Sequence, residues 1–203
     1  MMRVLGLTGS IAMGKSTAAR LLRRMRIPVY DSDAEIHALL AKGGDGVAPV
    51  DAAFPGVVRG GAVDRAALGA RVFADPASLR RLEAILHPLA WRRQRAFLAR
   101  HMRARTKLVC LDVPLLYETM GERNCDLVVV VSASAAIQRQ RALARPGMTP
   151  ARLAGILARQ MPDAKKRALA DVVAVSALGQ LHTLRTLRKA ARLARTLPRR
   201  RKP

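Results

Sequence analysis

The sequence predicts an α/β fold in three layers: about five parallel strands lie between helices, and a helical insertion and a small helical lid are added to that core. Three observations carry this. An apolar run at residues 2–7 leads into Gly9-Ser10-Ile11-Ala12-Met13-Gly14-Lys15-Ser16-Thr17, and a helix-forming segment follows at 16–25. Further strand-length apolar runs stand at 107–116, 126–131 and 170–175, each followed or preceded by helical periodicity. The long stretch from 34 to 106 is mostly helical and interrupts the strand series.

The glycine stretch has the pattern G-x-x-x-x-G-K-[ST] with a strand before it and a helix after it. Glycines let the backbone curl so that successive N–H groups point at one spot, and the positive end of the helix dipole adds to that anion site. Lys15 is placed to neutralise β- and γ-phosphate oxygens, and the Ser16 hydroxyl to reach Mg²⁺. The residues from Gly9 to Thr17 are therefore expected to bind a nucleoside triphosphate. Ser10, Ala12 and Met13 leave the loop poorer in glycine than it could be. If position 12 or 13 needs a positive φ, the side chain costs roughly 1 kcal/mol or more.

A chain of 203 residues, 50% hydrophobic, can bury a substantial core. No apolar stretch approaches the roughly 18 residues a membrane span needs, and the N-terminal apolar run ends at once in the glycine loop, unlike a secretory signal. Cys110 and Cys125 form no C-x-x-C pair, which fits a cytoplasmic protein with at least one buried thiol. The net charge of +23 comes almost wholly from arginine, beside abundant Ala, Gly and Pro. That reads as compositional bias spread over the surface, and a positive field also suits an enzyme of anionic substrates. A nucleic-acid binder is the competing reading, but only 3% of residues are aromatic, too few for stacking platforms.

In chain order, the helix at 16–25 buries Ala18, Ala19, Leu21 and Leu22. Residues 27–30 form a short second strand, with Pro28 favouring an edge or a strand start. Asp31-Ser32-Asp33 follow, then a helix at 34–41. Carboxylates two apart at a strand end point the same way, where open α/β sheets bind ligands. Asp33 can take a proton from a substrate hydroxyl or hold Mg²⁺ through water. Asp31 or Ser32 reads equally well as a helix N-cap. Residues 42–61, rich in Gly and Pro, read as a loop-rich connection. A helical region begins at 62–65, with Leu68, Val72 and Phe73 on one face. A further helix starts at Asp75-Pro76, is interrupted at His87-Pro88, and continues as a basic helix over 89–105.

The run 107–116 is a buried strand ending in Asp112, the general form of the acid that helps organise Mg²⁺. The run 126–131, apolar without alternation, reads as a central strand. A helix at 135–145 carries Arg141 and Arg145 on one face. Thr149 and Pro150 start the next helix, which runs to about 161. Two basic helices with a short break suit a lid over phosphates; they suit a solvated basic face equally well. A last strand at 170–175 and an amphipathic closing helix complete the core, and the basic tail 198–203 is expected to be disordered.

In order and spacing, these segments resemble the dephospho-CoA kinase family of P-loop small-molecule kinases. The resemblance rests on the glycine loop, Asp31-Ser32-Asp33, Val63-Asp64-Arg65, Leu82-Glu83-Ala84-Ile85-Leu86-His87-Pro88, Asp112-Val113-Pro114-Leu115-Leu116-Tyr117-Glu118, the stretch 138–145, Arg159-Gln160 and Ala170-Asp171. It implies transfer of the ATP γ-phosphoryl group to the 3′-hydroxyl of the dephospho-CoA ribose, the last step of coenzyme A biosynthesis. By similarity Asp33 is the base, Lys15 and Arg141 join it in catalysis, and Arg141 and Arg145 belong to the lid over ATP. Asp31, Asp33, Arg65, His87 and Asp112 fall on positions near the acceptor, and Mg²⁺ sits on Ser16 with Asp33 or Asp112 through water. The expected organisation is a nucleotide core of 1–33, 107–135 and 168–197, an acceptor-binding insertion of 34–106 and a lid of 136–167. A monomer or weak homo-oligomer is expected, with no membrane and no nucleic-acid partner. The chain departs from the family at Ser10, Ala12 and Met13, at Pro146 where an acid commonly stands, and at Ser176 where Asn is frequent. The competing kinase reading is another P-loop nucleoside or small-alcohol kinase; a nucleotide switch is disfavoured because no Asn-Lys-x-Asp segment is present.

Overall fold

The computed structural model describes residues 2–72 and 75–197. The expectations for Phe73 and for the tail 198–203 fall outside them. The elements are β1 (Arg3–Thr8), α1 (Lys15–Arg24), β2 (Val29–Asp31), α2 (Ser32–Leu40), α3 (Val47–Ala53), β3 (Val58–Arg59), β4 (Ala62–Val63), α4 (Arg65–Val72), α5 (Pro76–Arg103), β5 (Leu108–Asp112), β6 (Leu127–Ser132), α6 (Ala135–Leu143), α7 (Pro150–Ala158), α8 (Asp163–Leu169), β7 (Val172–Val175) and α9 (Gly179–Thr196). They fall into two compact units, Met1–Tyr30 with His101–Pro203, and Asp31–Arg100. No helix among the described residues is long and apolar enough to cross a membrane.

The first unit is an α/β core with a five-stranded sheet in the order β2-β5-β1-β6-β7. The pairings of β1 with β5, β1 with β6 and β6 with β7 are parallel. The run at 126–131, expected as a central strand, is β6, an interior strand flanked by β1 and β7; the middle strand is β1. Both are buried along almost their whole length, so apolar continuity marks an interior strand without ranking it. Leu7 is in register with Asp112, so β1 and β5 end together at the edge where the glycine loop begins.

The core joins the sheet to α1 and α9. Ala18, Ala19, Leu21 and Leu22 of α1 meet Leu5 and Leu7 of β1, while Leu187, Ala190, Ala191 and Ala194 of α9 line the same cluster. Those four α9 positions repeat at helical spacing, and their alanines let the helix axis lie close to the sheet. Gly6 is required inside β1, because a Cβ there would meet Cys125 Sγ at 2.8 Å and Leu116 Cδ2 at 2.9 Å. Both cysteines are buried and neither is in a disulfide, and burial holds the Cys110 thiol well above its ordinary range. The lid region holds one helix more than expected: α7 ends at Ala158, and α8 follows as a separate helix.

The second unit packs Leu40, Val50, Phe54, Val57, Val63, Leu68, Val72, Leu82 and Leu86 into its own core. Two expectations are corrected here. The 42–61 connection contains α3 and β3, and Ala62-Val63, where helix was expected, is the strand β4 that pairs antiparallel with β3. The hairpin turn is Gly60-Gly61, with φ of 57° and 80°, the backbone of a tight type I′ turn. Strands of two residues carry no periodicity to read. Second, α5 runs unbroken through Pro88 for 28 residues. The proline removes one helical hydrogen bond, at a cost of about 3 kcal/mol. Buried Leu82 and Leu86 on the preceding turns, and half-buried Leu89 beyond, carry the helix across. Asp64 caps α4 by accepting from Ala66 N at 3.0 Å and Ala67 N at 3.1 Å, and these bonds, Ala67 first, lower its carboxyl pKa.

Candidate active site

The glycine loop spans the gap between β1 and α1. Gly14 is the N-cap of α1, with φ 95°, and no acid occupies the first turn of that helix. The helix therefore presents its positive end uncompensated, the condition for anion binding. Ala12 takes φ 61°, so the left-handed position anticipated at 12 or 13 is 12. Met13 is buried, and its Sδ accepts from Ala133 N at 3.1 Å.

Gly9 is fixed by contact rather than by φ. A Cβ built on it would lie 2.5 Å from the Val131 carbonyl oxygen, which is backbone of β6 and cannot step aside. Gly9→Ala is expected to cost about 1–3 kcal/mol of stability and to weaken ATP binding about tenfold. Urea unfolding and calorimetric titration read the two effects, and a variant that unfolds and binds like the parent would refute the close approach.

Lys15 Nζ donates to Asp112 Oδ1 at 2.7 Å; the Asp112 side chain is only 2% exposed. The turn after β5 is anchored independently. The Pro114 carbonyl accepts from Thr8 Oγ1 and from Lys166 Nζ, both at 3.0 Å. Lys166 is fully buried and also pairs with Glu118 Oε1 at 2.9 Å, which in turn accepts from Met161 N at 2.7 Å. A buried ammonium thus ties α8 to the Asp112-to-Glu118 stretch. Lys166 went unnoticed in the sequence because it sits in Lys165-Lys166-Arg167, where nothing marks the buried member.

Arg141 reaches the loop: Nη1 donates to Ser176 Oγ at 2.7 Å, and both side chains border Gly14, where a Cβ would lie 3.1 Å from Ser176 Oγ and 3.7 Å from Arg141 Nη1. Ser176, the departure at the family's Asn position, is thus the partner of Arg141. Arg145 does not share that placement. Helix α6 ends at Leu143 with Ala144 as C-cap, so Arg145 lies beyond the helix and is exposed. Two glutamines also touch the loop: Gln160 Oε1 accepts from Ile11 N, and Gln138 Nε2 donates to Ile11 O.

In the second unit, Asp31 Oδ1 accepts from Ala34 N at 3.1 Å, so Asp31 is the N-cap of α2. Asp33, in the first turn of α2, is exposed. Arg65 is the first residue of α4 and exposed. His87 lies exposed on α5, its ring 5.8 Å from that of Trp91.

The dephospho-CoA kinase family model matches residues 3–179, which takes in the glycine loop, the acid pair, the Asp112 strand and α6 to α8. The chain belongs to the dephospho-CoA kinase family. It is accordingly an ATP-dependent kinase, a phosphotransferase. Dephospho-CoA kinase of Paramagnetospirillum magneticum is 68% identical over 166 residues, covering 82% of this chain and 78% of that protein. That of Rhodospirillum rubrum is 56% identical over 194 residues, covering 95% and 92%. Among solved structures, TT1252 from Thermus thermophilus superposes with a TM-score of 0.81 at 34% identity, over 97% of this chain and 99% of that one.

Proposed function

We propose that this member of the dephospho-CoA kinase family transfers the γ-phosphoryl group of ATP to the 3′-hydroxyl of the dephospho-CoA ribose in the cytoplasm, as a monomer or weak homo-oligomer. The observation that carries the reading is Lys15 held at 2.7 Å from Asp112 beside an anion-binding loop, within a chain whose residues 3–179 match the family. Phosphoryl transfer depends on positioning and charge neutralisation more than on covalent help from the protein. The loop N–H groups and Lys15 hold the β- and γ-phosphates. Asp33 orients the acceptor hydroxyl and takes its proton. Arg141, already beside Gly14, lies over the transferring group, and Arg145 joins it as the segment 136–167 closes as a lid that excludes water. The insertion 34–106 holds the CoA portion, with Asp31, Arg65 and His87 facing it.

The donors present fit Mg²⁺. Ser16 supplies a hydroxyl and Asp112 a carboxylate, both oxygen ligands of the kind this hard cation takes together with phosphate and water. Among the described residues no group of three His, Cys, Asp or Glu is placed to hold a metal ion. When bound, Mg²⁺ neutralises charge on the β- and γ-phosphates.

The test is ADP release from ATP with dephospho-CoA, run beside adenosine, AMP and pantetheine. Release with dephospho-CoA alone is expected. Equal release with adenosine or AMP would replace this reading with a nucleoside or nucleotide kinase.

A further inference from the structure

The glycine loop is gripped at one residue from two directions. Ile11 N–H donates to Gln160 Oε1 at 3.0 Å, and Gln138 Nε2 donates to the Ile11 carbonyl at 2.9 Å. Gln138 stands on α6 and is only 8% exposed; Gln160 follows the end of α7. The two amides are oriented by their partners. A peptide N–H only donates and a carbonyl only accepts, so Gln160 must present oxygen and Gln138 nitrogen.

The next residue shows why a grip is needed. Ala12 is left-handed, with φ 61°, which costs a non-glycine residue roughly 1 kcal/mol or more. Such a backbone persists only where its surroundings over-determine it. Part of the compensation is packing, since the Ala12 methyl lies in a cluster with Ala142 of α6 and Leu153 of α7. The rest is the pair of glutamines. Gln138 turns the Ile11 carbonyl toward α6. No peptide among the described residues is cis, so the Ala12 N–H on the same planar group points the opposite way. Were this peptide to flip, a carbonyl would point where an N–H now does, and a carbonyl repels phosphate oxygens that an N–H attracts.

We propose that Gln138 and Gln160 are positioning residues for nucleotide binding, holding the two peptide groups that flank Ile11 so that the glycine loop keeps the orientation that accepts phosphate. The inference rests on the loop being the ATP site but not on the identity of the acceptor. Gln138 supplies the only kind of group that can hold the carbonyl, a donor. Gln160 supplies an acceptor, a role that a carboxylate fills equally well.

That asymmetry provides the test. The same nearly isosteric change is made at each position, and ATP affinity is measured by calorimetry without acceptor, in the full chain. Gln160→Glu keeps an acceptor for the Ile11 N–H. Gln138→Glu sets a carboxylate against the Ile11 carbonyl with no proton between them. Each adds one negative charge near the loop, so that cost is similar in both, and the difference reads the hydrogen bond. Gln138→Glu is expected to weaken ATP binding about tenfold more than Gln160→Glu. Gln138→Met, which removes the donor and adds no charge, is expected to weaken ATP about tenfold and leave adenosine affinity unchanged. Should Gln138→Glu fail to fold, the methionine variant carries the test. Equal losses for the two glutamate variants, or a loss in Gln138→Met as large for adenosine as for ATP, would overturn the proposal and leave the glutamines as packing struts. Failure of dephospho-CoA as acceptor would leave these affinities untouched, so the two readings fail separately.

Discussion

Asp33→Asn is expected to lower kcat by about 10²–10⁴-fold, the range of general acid–base catalysis, while ATP binds nearly as before. The amide is the size of the carboxylate and accepts hydrogen bonds through its oxygen, but it cannot take a proton from an attacking hydroxyl at neutral pH. Asp33 is exposed in the first turn of α2, so the change removes no buried charge, and the fold should melt as the parent does. Its neighbour supplies a comparison at the acceptor site, where a loss is expected in KM rather than in kcat. Asp31 is engaged in capping α2 through the Ala34 N–H, and asparagine caps about as well as aspartate, so Asp31→Asn keeps the helix start. Steady-state kinetics with dephospho-CoA, together with ATP titrations, separate the two positions. Undiminished turnover in Asp33→Asn would remove it from the chemistry. An equal loss of kcat in both variants would point to shared charge near the acceptor rather than to a base.

That contrast shows how far the sequence could be read. The pair Asp31 and Asp33 stood out because two acids follow a strand, yet only coordinates separate the one whose carboxylate is engaged in capping. The glycine loop was legible because its spacing and its strand-to-helix setting are local properties of the chain. The β3–β4 hairpin was not, since two-residue strands have no period, although Gly60-Gly61 is the one signal that could have announced it. Pro88 misled for a different reason: a local rule against proline yielded to packing on either side of it. Gln138 and Lys166 were hidden because a long polar side chain looks the same in sequence whether it is solvated or buried against backbone. Their partners, Ile11 and Pro114, are 127 and 52 residues away. Contacts that distant leave no local pattern. The loop departure at Ala12 was visible as a missing glycine, but its left-handed φ and its packing against Ala142 and Leu153 belong to the fold.

Lys15→Met carries the second large effect, because one ammonium serves two ends. Toward the nucleotide it is a cation aimed at phosphate oxygens, and removing one such preorganised donor costs about 10²–10³-fold in kcat. Toward the protein it compensates Asp112, whose side chain is 2% exposed while that of Lys15 is 14% exposed. Deleting one member of a buried pair strands the other charge, at about 3–5 kcal/mol, and the partial exposure of Lys15 places the expectation at the lower end. Lost activity alone would therefore not tell chemistry from damage to the fold. Adding Asp112→Asn removes the stranded carboxylate. The double variant should recover most of the stability, read by urea unfolding, because an amide in that place carries no charge to compensate. It should recover none of the turnover, because the phosphates still lack their cation. A double variant that regains turnover along with stability would reduce Lys15 to a structural partner of Asp112. A single variant as stable as the parent would show instead that the 2.7 Å pair does not hold the turn, leaving Lys15 to the nucleotide alone.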